Sequence, residues 1–351
     1  MKIKLAMLES DSGYIRRIVP VLHSRYANEI EVYSFTDVDA AMECLEEKKI
    51  DIFLSSDSFK IDFSAVPKRC GFAYLVESPD IHSIDDKQAI CKYQKPELIV
   101  KQVMSMYSEH IPNVTGAAND KNGNMKTIAF CSPCGGTGTS TAAAACAIAL
   151  AAKGYRVLYL NSEIYGDADL FFASDGQFDF SDVIYAVKSN KSNRALKLRS
   201  TVKQDSSGVY FYSSVKVPLD MMEMTAEDYK TLYAELAALG AYDYVVCDTE
   251  IPKTHSAFEM FNYCNSVVIV SDGRLTASSK LKKLVRTVQI LDGQSESGMM
   301  RKMWLLNNKS VGRENGQSEL RVLGSFPVYQ TVAPAQLAKQ LSMSNIFVQL
   351  I

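Results

Sequence analysis

Two groups of residues in this chain have the types and spacing that phosphate chemistry needs. The first is Cys134-Gly135-Gly136-Thr137-Gly138-Thr139-Ser140-Thr141, between the short apolar run Thr127 to Phe130 and the alanine-rich segment Ala142 to Ala152. A glycine-rich turn between a strand and a helix lets backbone N–H groups converge on an anion, and the helix N-terminus adds partial positive charge. The second is Asp248, which ends the apolar run Tyr242-Asp-Tyr-Val-Val-Cys. An apolar strand ending in an acid holds one carboxylate rigidly, as a Mg²⁺ site requires. Taken singly, these segments also fit an ordinary βα turn and a helix N-cap aspartate. Together in one domain they are much more specific than either part.

The loop departs from the usual phosphate-binding pattern G-x-x-x-x-G-K-[ST]. Pro133 holds the first glycine position and Thr139 the lysine position, while Ser140 keeps the hydroxyl that faces a Mg²⁺ ion. A lysine at about 4 Å from a phosphate, at an effective dielectric near 20, is worth roughly 4 kcal/mol before desolvation. Another source of positive charge must therefore compensate. Cys131 and Cys134 form a CxxC, but no second pair with zinc spacing accompanies it, so a metal or redox role is not expected.

The elements that must position these residues follow from composition and periodicity. At 351 residues the expectation is two domains. Apolar content of 47% and charged content of 22% are those of a soluble globular protein. A net charge of −2 gives no reason to expect DNA binding by bulk charge. No apolar run reaches membrane-span length, no cleavable signal opens the chain, and the eight scattered cysteines fit a reducing cytoplasm. The polar, Asn- and Gly-rich stretch 111–126 reads as a linker between a domain at 1–110 and a domain at 127–351.

Strands are expected at Lys2 to Leu8, Glu29 to Phe35, Ile50 to Ser55, Phe72 to Val76 and Ala89 to Lys92. Helices are expected at Gly13 to Tyr26, Asp37 to Lys48 and Glu97 to Tyr107. That alternation predicts a doubly wound parallel sheet. The order of elements resembles the receiver domain of two-component response regulators. Its site gathers at the carboxyl ends of the strands, which here offer Glu9, Asp11, Ser56, Asp57, Glu77, Ser78 and the pair Lys95-Pro96. The Lys-Pro pair matches the receiver pattern, whereas the phosphoacceptor position belongs to Ser56. Asp57 is one residue off, which in a strand reverses the side chain's direction. The resemblance therefore implies a receiver fold that has lost aspartyl phosphorylation, with Lys95 a solvated or salt-bridged surface lysine.

The second domain continues with a strand at Arg156 to Leu160, a helix at Asp179 to Lys188 and a strand at Val209 to Ser213. A capping box at Thr225-Ala-Glu-Asp228 starts a helix stopped by Gly240. Further strands are expected at Ser266 to Val270, Met303 to Leu306 and Arg321 to Leu323, with a long helix at Leu275 to Leu291. The loop paired with Asp248 resembles the deviant P-loop ATPases of the ParA and MinD type, whose loop reads Lys-Gly-Gly-x-Gly-Lys-[Thr/Ser]-Thr. Here the glycines and hydroxyls remain and both lysines are gone, at Cys134 and Thr139. The family's two switch aspartates correspond to Asn161 and Glu163. Asn307 or Asn308 stands where the family reads adenine, and Pro327 and Val328 fall near its second adenine-contacting loop. A receiver-like domain joined to such a lysine-less loop, with the matching segment around Gly166-Asp167, resembles the TadZ/CpaE group of Flp (tad) pilus assembly proteins.

The fold class this implies is α/β: a receiver-like (flavodoxin-like) doubly wound domain, then a ParA/MinD-like P-loop NTPase domain with a mostly parallel sheet. The resemblance implies a cytoplasmic homodimer that binds ATP with Mg²⁺ and helps place pilus and secretion machinery at a cell pole. Its implied partners are the secretion ATPase and other pilus assembly proteins, with membrane association indirect. It also implies roles for Ser140 and Asp248 at the metal, Glu163 and Asp248 in catalysis, and Cys134 to Thr141 around the phosphates. Hydrolysis is expected to be very slow or absent. The alternative is a ParA-like DNA partition ATPase, which needs an exposed basic stripe. Its only candidates, Lys280, Lys282, Lys283 and Arg286, do not all share one helical face.

Overall fold

The computed structural model describes residues 2–110, 125–189, 193–252, 254, 258–295, 298–310, 319–329 and 332–351. The linker read at 111–126 lies outside the described residues except for its last two positions. The chain forms two compact units, Met1–Ala117 with Ser189–Thr201 and Ala118–Lys188 with Val202–Ile351.

The first unit contains β1 (Ile3–Leu8), α1 (Ser12–Arg25), β2 (Ile30–Phe35), α2 (Val38–Glu47), β3 (Ile52–Ser56), β4 (Gly71–Val76), β5 (Ser83–Ile84), β6 (Lys87–Cys91) and α3 (Pro96–His110). Its sheet order is β2-β1-β3-β4-β6-β5, parallel throughout except for the antiparallel pair β5–β6. The five parallel strands β2-β1-β3-β4-β6 thus follow the flavodoxin-like order. The alternation expected from the sequence breaks in the middle, because no helix follows β3 or β4. Residues 57–70 and 77–82 lack a helical apolar period and contain Pro67 and Pro79. Aromatic rings cover that face instead: Phe63 meets Phe72 edge-to-face at 4.9 Å, and Phe72 meets Tyr74 likewise at 4.9 Å.

The second unit begins with β7 (Lys126–Cys131), α4 (Thr139–Ala152), β8 (Val157–Asn161) and α5 (Phe180–Lys188). The next helix, α6 (Arg194–Thr201), packs in the first unit against α3. It explains why α3 buries polar side chains: Lys197 Nζ donates to Ser105 Oγ at 2.7 Å, and Asn193 donates to the Ser108 carbonyl at 3.1 Å. The second unit resumes with β9 (Lys203–Gln204), β10 (Tyr210–Phe211), α7 (Leu219–Met222), α8 (Ala226–Leu239), β11 (Tyr244–Asp248) and β12 (Ser266–Ser271). It ends with α9 (Leu275–Ser295), α10 (Met299–Lys302), β13 (Met303–Ser310), β14 (Arg321–Pro327) and α11 (Pro334–Ser342). The eight strands run β14-β13-β12-β7-β11-β8-β10-β9, all parallel except edge strand β9. Six consecutive residues of α4, Ala142 to Ala147, are fully buried, so the helix is enclosed on all sides there, packed between the sheet and α11, and its small side chains let both approach closely. The Thr225 capping box forms as the sequence indicates, with Asp228 N–H donating to Thr225 Oγ1 at 3.2 Å, and Gly240 ends α8 at φ 58°. Such a cap contributes about 1 kcal/mol.

At the carboxyl ends of the first sheet, one buried cation dominates. Lys92, directly after β6, lies 3.3 Å from Glu9 and 3.1 Å from Glu77, and Glu9 is fully buried. The lysine that reaches the receiver-type centre is thus Lys92, while Lys95 is exposed. Asp11 is diverted to N-cap α1, accepting from Gly13 N–H at 2.8 Å and Tyr14 N–H at 3.0 Å. Ser56 is buried 2.9 Å from the Ser58 hydroxyl, and Asp57 points to solvent.

Removing one member of a buried ion pair strands the other charge, typically a loss of about 3–5 kcal/mol. Lys92→Met is therefore expected to lower the hydrogen-exchange free energies of β1 and β6 amides by about that amount, with the Glu9→Leu/Lys92→Met double variant recovering most of it. A single-variant change below about 1 kcal/mol would show that Glu9 does not depend on Lys92.

Candidate nucleotide site at the carboxyl end of the second sheet

The glycine loop leaves β7 and is tied to its surroundings at several points. Ser132 Oγ donates to the Val270 carbonyl at 2.7 Å and accepts from Cys134 N–H at 3.2 Å, which pins the start of the loop to β12. Gly136 and Gly138 have φ of 76° and 87°, in the left-handed region that β-carbon sterics deny most residues. Gly138 is also the N-cap of α4, and glycine has no side chain with which to cap that helix. Its first amides are therefore left for an anion. Asn308 Nδ2 donates to the Thr137 carbonyl at 2.7 Å, and a Cβ on Gly138 would lie 2.3 Å from that nitrogen. Thr139, at the position of the missing lysine, turns inward with Oγ1 3.2 Å from Thr137 Oγ1. Cys134 is half-buried, Gly135 and Gly136 are exposed, and Ser140 and Thr141 are partly exposed in the first turn of α4.

The acids converge beside that turn. Strand register places Asp248 opposite Phe130 of β7 on one side and Asn161 of β8 on the other. Asp248 is fully buried; Tyr159 donates its hydroxyl to Oδ2 at 2.9 Å, and Oδ1 has no hydrogen-bond partner among the described residues. Glu163 Oε2 lies 3.5 Å from Ser140 Oγ. Asn161 accepts the Glu163 N–H at 3.0 Å, so it shapes the backbone that aims Glu163. Gly166 passes so close to the Asn161 amide that a Cβ there would sit at 2.3 Å.

Burial, followed by the charge of Glu163, pushes the Asp248 carboxyl up to about 8, and the Tyr159 and Ser140 hydroxyls pull against that shift. Glu163 is also raised, first by burial and then by the charge of Glu250. A buried carboxyl with one orphaned oxygen, a serine hydroxyl and a second carboxylate form a hard oxygen donor set, which fits Mg²⁺. A divalent ion there would neutralise the two acids and supply charge to phosphate oxygens. Ser140 and Asp248 would hold it, and the amides at the start of α4 would be free to take phosphate oxygens.

Of the two asparagines on β13, Asn308 has its amide nitrogen committed to the loop, and Asn307 is buried beside it. Pro327 pairs with Ser310 at the end of β14, and Pro327 and Val328 are exposed. Lys280, Lys282, Lys283 and Arg286 are all exposed along α9. Three contributors had no motif to mark them: Tyr159, Ser132 and Lys309, whose Nζ donates to the Gly136 carbonyl at 2.7 Å. Tyr159 carried a weak signal as the one residue with a hydroxyl inside an apolar strand.

The Asp248 shift carries a sign. A carboxyl raised from 3.8 to about 8 binds a proton in the folded protein that the unfolded chain has released. Its contribution to stability is full below about pH 4 and is lost as pH rises toward 8. Asp248→Asn should therefore melt higher than the wild type at pH 8.5 and lose this part of the pH dependence, measured by calorimetric scans from pH 5 to 8.5. Parallel profiles for the two proteins would mean that Asp248 is already ionised in the fold.

Comparison with known proteins agrees with both units. Residues 1–108 match a family model described as TadZ-like, receiver domain, and residues 125–300, half of the chain, match an AAA-domain model. No curated protein matches the chain. Among solved structures, a ParA family ATPase from Chlorobium tepidum is similar at 18% identity and TM-score 0.51, covering 64% of this chain and 96% of its own. The MinC:MinD cell division complex of Aquifex aeolicus is similar at 16% identity and TM-score 0.48, covering 64% and 95%. MinD of Pyrococcus horikoshii complexed with Mg-ADP is similar at 15% identity and TM-score 0.43, covering 62% and 94%. The chain therefore belongs to the AAA-domain family, and it joins to that domain, whose fold is similar to that of a ParA family ATPase, a TadZ-like receiver domain, the architecture of the TadZ/CpaE type.

Proposed function

We propose that this protein is an ATP-binding, homodimeric localisation and assembly factor for Flp (tad) pilus and secretion machinery, acting in the cytoplasm at a cell pole. The observation that carries the nucleotide reading is the unpartnered Asp248 Oδ1, buried beside Ser140 and the uncapped start of α4. In this reading the amides of Gly135 to Thr141, with Cys134 at the loop's entrance, hold the phosphates. Ser140 and Asp248 hold Mg²⁺. Asn307 addresses adenine, Asn308 fixes the loop against which the nucleotide rests, and Pro327 and Val328 lie toward the base. The domain reading is 1–110, a linker at 111–126, and 127–351. The pilus assignment rests on the TadZ-like architecture. The partners it implies are a second copy of the chain, the secretion ATPase and other assembly proteins, with the membrane reached indirectly.

The groups for binding are better kept than the groups for turnover. Phosphoryl transfer is mostly positioning plus stabilisation of charge on the transferred group. Glu163 remains to orient a water, but neither loop lysine is present, and losing one charge-stabilising contact typically lowers the rate by about 10²–10³. ATP then acts as a pin that favours one dimeric state.

Calorimetry and light scattering of the full chain test this together. Mg–ATP should bind better than GTP and shift the protein toward a dimer, and Asp248→Ala should weaken both by about 10–100-fold. Wild-type turnover should stay well below one per second. Turnover of order one per second, abolished by Glu163→Gln, would instead make the protein an ordinary ATPase. Salt-sensitive DNA binding through Lys280, Lys282, Lys283 and Arg286, measured at two salt concentrations, would favour the partition alternative.

A further inference from the structure

The glycine loop has no lysine of its own, yet two cations from other elements reach its backbone. Lys309 Nζ donates to the Gly136 carbonyl at 2.7 Å, and Arg274 Nη2 approaches the Gly135 carbonyl at 3.4 Å. They differ in their other partners. Arg274 Nε is paired at 2.5 Å with Asp272, whose side chain is only 4% exposed. That carboxylate largely cancels the guanidinium charge and fixes its position. Lys309 makes no ion pair among the described residues.

Lys309 is also aimed by the backbone. It sits at φ 53°, one of four non-glycine residues with positive φ among the described residues. The β13–β14 register breaks between Asn307 and Ser310, around this residue. A local bulge re-aims a side chain, and a left-handed lysine persists only where the surroundings impose it. The imposing contact is adjacent: Asn308 Nδ2 is bonded to the Thr137 carbonyl, so β13 is fastened to the loop one residue before Lys309. The long, flexible lysine stem then carries a mobile ammonium over the exposed rim of the loop.

We propose that Lys309 supplies the positive charge that the loop lacks, contacting the terminal phosphates of a nucleoside di- or triphosphate held by the loop amides. This rests on the nucleotide reading above. Gly136 O serves as the resting partner of the ammonium, which turns to the anion when the loop fills. A loop whose own lysine position is taken by the inward-facing Thr139 thus receives its cation from the strand that also carries Asn307 and Asn308.

The test is titration calorimetry of the full chain with Mg–ATP, Mg–ADP and adenosine. Lys309→Gln keeps a donor for the Gly136 carbonyl and removes the charge. It should weaken Mg–ATP by at least about tenfold, Mg–ADP by less, and adenosine not at all. Lys309→Arg should stay within about threefold of wild type, and the Lys309→Gln deficit should shrink at high salt, since the residue is exposed. Mg–ATP affinity within about twofold of wild type in Lys309→Gln would overturn the assignment. So would an equal loss for all three ligands, which marks a backbone staple with no phosphate contact. A wild-type protein that takes up no Mg–ATP would remove the nucleotide reading and this assignment together. Normal wild-type binding with a silent Lys309→Gln removes the assignment alone.

Discussion

Placing a carboxylate at the end of a fully buried strand is unfavourable, because desolvation penalises the charged form. Asp248 is such a group, and much of the second unit is arranged around it. Its strand lies between β7 and β8, so the ends of three neighbouring strands present Phe130, Asp248 and Asn161 side by side. Tyr159 satisfies one carboxyl oxygen from β8 and leaves the other open beside Ser140. Glu163 adds a second acid to the same corner, which raises the demand for a cation still further. Burial and the neighbouring charge both favour the protonated form of Asp248. A divalent ion with phosphates attached would relieve both acids at once, so binding and local stability are linked through one side chain.

In the proposed function the glycine loop would have to attract phosphate without a lysine in its own sequence. It offers directional amides at the start of α4 and two glycine positions with left-handed backbone. Its shape is enforced from outside. Ser132 anchors its entrance to β12, and Asn308 anchors its apex to β13. A loop braced on two strands loses less entropy when it meets an anion than a free one does, which offsets part of the missing charge.

The first unit shows the same economy applied to a different end. Where a receiver-type centre would gather open acids, Glu9 is closed by Lys92, and Lys92 in turn reaches Glu77. Tyr14 and Tyr93 lie 5.9 and 5.4 Å from the same ammonium. Glu9 and Lys92 are buried and paired, Glu77 closes the cluster from the exposed side, and no carboxylate is left in the acceptor position, which Ser56 holds. The unit's helices also follow only some of its strands, with aromatic side chains covering part of the sheet instead.

What the sequence determined by itself was local and contiguous. The strand, glycine turn and alanine-rich helix at 127–152 are consecutive residues, so period, glycine placement and Ser140 could be read directly. The Asp248 strand and the Thr225 capping box were legible for the same reason, as was the α/β class with its two kinds of sheet. What the tertiary structure decided depended on register and on residues distant in the chain. Choosing Lys92 over Lys95 depends on where β6 ends, and strand ends are weakly marked when flanking residues are polar. The capping of Asp11, the pairing of Tyr159 with Asp248, and the packing of α6 in the first unit carry no pattern, since each is one contact between separated segments. Lys309 is the clearest case. Nothing in Asn307-Asn308-Lys309 announces a contact with Gly136, 173 positions away, which Lys309 makes where the strand pairing breaks. Periodicity records which face of an element is buried; it holds no information about which side chain of a distant element that face will meet.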